Sequence, residues 1–246
     1  MLDSACRESI PAELPKESRS LLQRSWNESL RALRANILPG FLLQSLMAGM
    51  AAAYLWHPGS RRAFEELALL KSNWGLLFSF AGTSLASVIL PELLRLLLHN
   101  ATMVKENFAG LSDRLLFGLI FWGLIGMQVD LFYRFQYFLF GPSSSFSVIV
   151  KKVLVDALLY CPILAIPQAV SVFLWRDHGF TLKGFCGHTP LDFYALKILP
   201  VLLANWMVWI PIVCLIYALP PALGIPFFMV AQSFWVLVFS TLSRRF

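Results

Sequence analysis

Apolar runs of about the length of a bilayer, parted by short polar stretches, dominate this chain from position 37 onward. A helix needs about 20 mostly apolar residues to cross a membrane, with a range of roughly 17–25. Six segments meet that requirement. Ile37 to Trp56 is broken only by Pro39, Gly40 and Gln44, and Trp74 to Leu98 carries Pro91, Glu92 and Arg95 in its last turns. Leu115 to Phe140 holds Gln128, Asp130 and Arg134, and Val148 to Trp175 holds Lys151, Lys152, Asp156, Pro162 and Pro167. Ile198 to Leu219 and Ala222 to Leu242 meet at Pro220–Pro221, which predicts a tight hairpin. Ahead of the first run, Ser20 to Arg34 is amphipathic, with Leu21, Leu22, Trp26, Leu30 and Leu33 on one side. The expected fold is all-α: a multi-pass transmembrane bundle of five or six crossings. Residues 1–36 form a polar tail and surface helix, and 37–246 the bundle.

Loop charge orients the spans. With the N-terminus inside, inner segments hold fourteen Lys and Arg, and outer segments hold five, namely Arg61, Arg62, Lys71, Lys151 and Lys152. That bias fits the positive-inside rule with both termini inside. Trp56, Trp74 and Trp175 fall at helix ends, where aromatic belts occur. If the first run lies flat, five helices cross and the N-terminus changes side. The sequons at Asn27 and Asn100 face inward in this topology and are taken as chance.

Composition sharpens the class. Of 246 residues, 58% are hydrophobic and 14% charged, with mean hydropathy +0.67. Soluble domains carry about 45–50% apolar and roughly 25% charged residues. A water-soluble fold of this size could not cover its outside with so few polar groups, whereas a lipid-facing surface can be as apolar as the interior. The net charge of +6 sits at the ends of apolar runs. It indicates topology signals and contact with anionic lipid rather than nucleic acid. The N-terminal stretch lacks an apolar signal-peptide core, and Asp3, Glu8, Glu13 and Glu17 disfavour a mitochondrial presequence. The four cysteines, at 6, 161, 186 and 214, show no ligand spacing and are expected to be small hydrophobes.

Charges inside apolar runs are expensive and usually pair or line a water-filled path. Asp130 and Arg134 are four apart and share a helix face, as do Lys152 and Asp156 on the next helix. A hairpin centred near Ser144 would set Arg134 level with Lys152 and Asp156, so that Arg134 could also reach Asp156. These four residues form either a clasp that fixes helix register or the wall of a polar pathway. Pro39, Pro91, Pro162, Pro167, Pro200, Pro211 and Pro226 lie in or beside the spans, where each frees a carbonyl for kinking or polar contact. His57, His99, His178 and His188 lie in or beside loops without metal-ligand spacing. No P-loop, GxSxG or GxGxxG occurs. Neither an enzymatic reaction nor a cofactor is expected.

Three motifs, in order, resemble those of the Mpv-seventeen / PMP-twenty-two family of small peroxisomal and mitochondrial inner-membrane proteins. Asn205-Trp206-Met207-Val208-Trp209 followed by Pro211, then Tyr217, Pro221, Trp235 and Ser240, is similar to NWxxWP, an aromatic, a hairpin proline and a Trp ahead of Leu-Ser. Lys152, Asp156 and Pro162 match KxxxDQxxxxP with Ala157 for Gln. Gly126, Phe132 and Tyr133 resemble GPxxHxWY with Met127 for Pro and Asp130 for His. Asp113 and Arg114 stand where the family has Asp and Arg. The resemblance covers about Trp74 to Ser243. It departs at Val213, Ile216, Ile225 and Val230, where the family places Gln, Asn, Arg and Asn, and around Gly82, Thr83 and Ala86. Family members are described as pore-forming or channel-like, so the resemblance implies a channel for small solutes or metabolites with a role in membrane homeostasis. Asp130, Arg134, Lys152 and Asp156 would form its charged constriction. Asn205, Trp206, Trp209, Pro211, Pro221 and Trp235 would serve packing. The alternative is a structural or assembly protein of the membrane without transport. The expected partners are the lipid bilayer, small solutes and a second copy of the chain. The family context implies an organelle membrane, and a bacterial cytoplasmic membrane is equally admissible.

Overall fold

The computed structural model describes residues 18–98, 111–143, 145–187, 189–219 and 221–243. The N-terminal tail, Cys6, His99, the Asn100 sequon, Lys105, His188, Pro220, Arg244 and Arg245 lie outside them, as do the side chains of Asp113, Arg114 and Pro221. Among the described residues, eight helices follow in chain order: α1 Ser18–Ala35, α2 Ile37–Trp56, α3 Pro58–Trp74, α4 Leu76–Leu98, α5 Leu111–Phe140, α6 Phe146–Asp177, α7 Pro190–Ala218 and α8 Pro221–Ser243. A short 3₁₀ turn, Leu182–Phe185, joins α6 to α7. Six of these helices, α2 and α4 to α8, are long and apolar enough to cross a membrane. The stretch between the first two spans is not a loop. It is α3, which starts on His57, whose ring accepts from the Ser60 backbone N–H, with Pro58 at the first position.

The fold comprises two compact units. The first holds residues 37–152 and 211–237. Its apolar centre is Leu43, Met47, Leu223, Phe227, Val230 and Leu237. Helices α4 and α5 run antiparallel there, with Ser84 Oγ donating to the Leu119 carbonyl at 2.6 Å. Their approach depends on Gly123 and Gly126. A Cβ at 126 would stand 2.6 Å from the Ser79 carbonyl and against Thr83, and one at 123 would stand 2.5 Å from Ser84 Oγ. Without a hydrophobic drive between helices in lipid, such small residues let dispersion and polar contacts hold a pair together. The α5–α6 hairpin has the expected register, because Gln136 Nε2 donates to the Lys152 carbonyl at 3.3 Å. The midpoint of those two positions is 144.

The second unit holds the described residues of 1–36, 153–210 and 238–246. Val170, Leu174, Val201, Ala204, Val238 and Phe239 are almost wholly buried, and Phe173 meets Phe239 edge-on at 4.9 Å. The amphipathic α1 belongs here, but its buried face differs from expectation. Ser25, Ser29, Ala32 and Asn36 are buried, whereas Leu22 and Trp26 are about half exposed, at 55% and 47%. The sequence pattern pointed to the leucine side because apolar periodicity marks a core face only where water is the alternative. Beside lipid, apolar side chains can face outward, and small polar ones can seat the helix.

Candidate functional site

The charge cluster begins at Asp130. Its Oδ1 lies 3.2 Å from Lys71 Nζ, its Oδ2 lies 3.2 Å from Arg134 Nη2, and Ser79 Oγ donates to Oδ2 at 2.7 Å. Arg134 Nε adds a contact to Oδ1 at 3.3 Å. Asp130 is buried, and Arg134 remains more than half exposed. The carboxylate thus accepts from three donors and faces two cations. The Asp130–Arg134 pair forms as the four-residue spacing predicted. Ser79 is three residues into α4, so the cluster lies about 4.5 Å along that helix from its start. Lys71, at the end of α3, was not foreseen as a partner.

Among the described residues Lys152 has no carboxylate partner. Its side chain is 1% exposed, with Nζ 3.8 Å from the Tyr137 ring centroid and 5.1 Å from that of Tyr217. Gln136 fixes the box: it donates to the Lys152 carbonyl and accepts from Tyr217 Oη at 2.8 Å. A lysine at membrane depth costs roughly 2.5–3.5 kcal/mol, and a desolvated cation–π contact contributes about 2 kcal/mol or more. Two rings are therefore enough to hold it. Asp156 instead accepts from Cys161 Sγ at 3.1 Å. The expected Lys152–Asp156 ion pair is corrected by the partners each has taken, and Arg134 is committed to Asp130. The four residues are also divided, with Asp156 in the second unit and the other three in the first.

Why Asp156 meets Cys161 follows from proline. Residues Asp156–Ala165 wind as a π-helix, in which each N–H reaches five residues back. The Ile166 N–H, for example, reaches the Cys161 carbonyl. Five residues of α-helix would turn about 140°, leaving 156 and 161 on different faces, whereas the wider π turn brings them together. Pro162 and Pro167 lack the N–H that would reach Ala157 and Pro162. Both orphaned carbonyls are capped from α7. Trp206 Nε1 donates to the Ala157 carbonyl at 2.8 Å, and Tyr194 Oη to the Pro162 carbonyl at 3.0 Å. Asn205 Nδ2 completes the network on Cys161 Sγ at 3.3 Å. Two of the three sequence motifs are thus joined into one hydrogen-bonded array. Trp235 is buried in the first unit and Asn205 in the second. Trp209 is partly buried, and Pro211 is exposed within α7. Cys161 and Cys214 are free, and Cys186 is disulfide-bonded, which corrects the view of all four cysteines as plain hydrophobes.

A polar feature that the sequence pattern did not single out runs down α4. Ser79, Thr83 and Ser87, four residues apart, are all buried on one face and span about 12 Å of helix. Ser233 Oγ, on α8, donates to the Ala86 carbonyl at 2.6 Å. Beside that bond in sequence, Ser87 Oγ and Gln232 Nε2 are buried without a hydrogen-bond partner. The four-residue spacing of hydroxyls was the signal available for finding it.

Six apolar helices of spanning length define an integral multi-pass membrane protein. Among curated proteins the chain is similar to PXMP2/4 family protein 2 of Dictyostelium discoideum, 33% identical over 98 residues, 39% of this chain. The match spans about half of that relative, 47% of its length. That similarity agrees with the resemblance carried by the motifs. No family model matches, and no solved structure matches.

Proposed function

We propose that the protein is a channel-like conduit for small polar solutes in an organelle membrane. The observation that carries this reading is the buried hydroxyl face of α4. It leads from the Asp130 cluster to Ser87 Oγ and Gln232 Nε2, two polar atoms without protein partners. Buried polar groups are hydrogen-bonded in the large majority of cases, to protein or to ordered water, and a polar site with two or more such groups is where water lodges. The Lys71–Asp130–Arg134 cluster stands at the start of this face, where it would filter solutes by charge. The family resemblance points the same way and favours an organelle membrane.

Planar-bilayer recording of the purified chain tests the proposal. Wild-type protein should conduct, Ser87→Val with Gln232→Leu should cut the conductance several-fold, and Asp130→Asn should change ion selectivity. A sealed bilayer at protein densities giving many copies per membrane would contradict it. One observation favours the structural alternative: Val213 and Val230, which replace polar residues of the family, are buried, Val230 within the apolar centre. That reading predicts no conductance and loss of membrane integrity when the chain is deleted.

A further inference from the structure

We infer that α1 lies flat in the membrane interface and binds the headgroups of anionic phospholipids through Arg24, Arg31 and Arg34. This helix has three sides. At about 100° per residue, the buried stripe Ser25, Ser29, Ala32 and Asn36 falls within a narrow sector. Leu22, Leu33, Trp26 and Leu30 flank it on one side, and Glu28, Arg24 and Arg31 on the other, with Arg34 and Asn27 at the back. Leu22 and Trp26 are exposed, as are the three arginines. Glu28 lies within electrostatic reach of Lys197, which leaves the arginine side with surplus positive charge.

Two side-chain contacts seat it, one on α7 and one on α8. Ser29 Oγ donates to the Pro200 carbonyl on α7 at 2.7 Å, and Asn36 Nδ2 to Thr241 Oγ1 on α8 at 2.9 Å. Along α1 the two contacts are seven residues, about 10.5 Å, apart. A helix with an exposed apolar flank and a basic flank along its length lies in the interface plane. Its apolar flank then meets acyl chains, with Trp26 at the headgroup level. The opposite flank presents three guanidinium groups, whose planar forks match phosphate oxygens.

Native mass spectrometry of the full-length chain, released from micelles with equal phosphatidylglycerol and phosphatidylcholine, tests the inference. Wild-type protein should retain phosphatidylglycerol in preference. Each arginine near an anionic surface contributes roughly fivefold in affinity, so Arg24→Gln/Arg31→Gln/Arg34→Gln should lower that preference about a hundredfold. The corresponding three-lysine variant should keep most of it. A glutamine variant with unchanged helical content and thermal midpoint that still prefers phosphatidylglycerol would overturn the inference. So would wild-type protein that binds both lipids equally. If the triple variant fails to fold, single Arg→Gln variants decide the matter: each is expected to lose about fivefold, and no loss in any of them would overturn the inference.

Discussion

Trp206 and Tyr194 each supply one hydrogen bond to a carbonyl that a proline has orphaned. An unpaired buried polar group costs about 1–3 kcal/mol, more where no water is at hand. Trp206→Phe should therefore lower the unfolding free energy in detergent by about 2 kcal/mol. In a Pro162→Ala background, where residue 162 regains its N–H, the same change should cost clearly less. A double-mutant cycle by denaturant titration measures the difference, and additive costs would contradict the capping account. Lys152 makes a second case. Tyr137→Leu uncovers its ammonium and should destabilise by roughly 2 kcal/mol, whereas with Lys152→Met already in place the loss should shrink. Equal losses in both backgrounds would show that Tyr137 acts by packing alone. Asp130 with Arg134 was legible in the sequence because both lie on one helix turn. Lys71, Ser79, Gln136 and Cys161 were not, since their roles arise between helices or from a π turn that no apolar periodicity marks.

The existence of the spans was the most legible feature. Each of the six expected spans overlaps a helix of spanning length, because an apolar run of that length has few alternatives in a bilayer. Their ends differ in places: Trp74 ends α3 rather than opening α4, and α7 begins at Pro190. What the pattern could not deliver was which face packs. In α1 the small polar side is buried, and in α4 the hydroxyls point inward, both opposite to the rule that holds in water. The α4–α5 pair rests on glycine, and Gly126→Leu would drive a side chain into the Ser79 carbonyl and Thr83. Overpacking of this kind costs about 1–3 kcal/mol. The variant should therefore unfold several degrees below wild type and weaken the Ser79–Asp130 contact. An unchanged thermal midpoint would argue against close helix approach at this point.

Across the whole molecule, the described residues leave many large apolar side chains exposed, and the ions and hydroxyls buried among them each need an answer. Salt bridges, tyrosine rings, a thiol and proline-freed carbonyls provide most of those answers. Ser87 Oγ and Gln232 Nε2 have none from the protein, and water is the simplest group to supply it. Cysteine accessibility tests this most directly. Ser87→Cys, in a chain with Cys161→Ala and Cys214→Ala, is exposed to a small charged thiol reagent in sealed vesicles. Modification faster than that of the parent chain is the predicted result, and adding Gln232→Leu should slow it. A Cys at 87 that stays unmodified in the folded protein, yet reacts on unfolding, would mean a dry bundle and no conduit along α4.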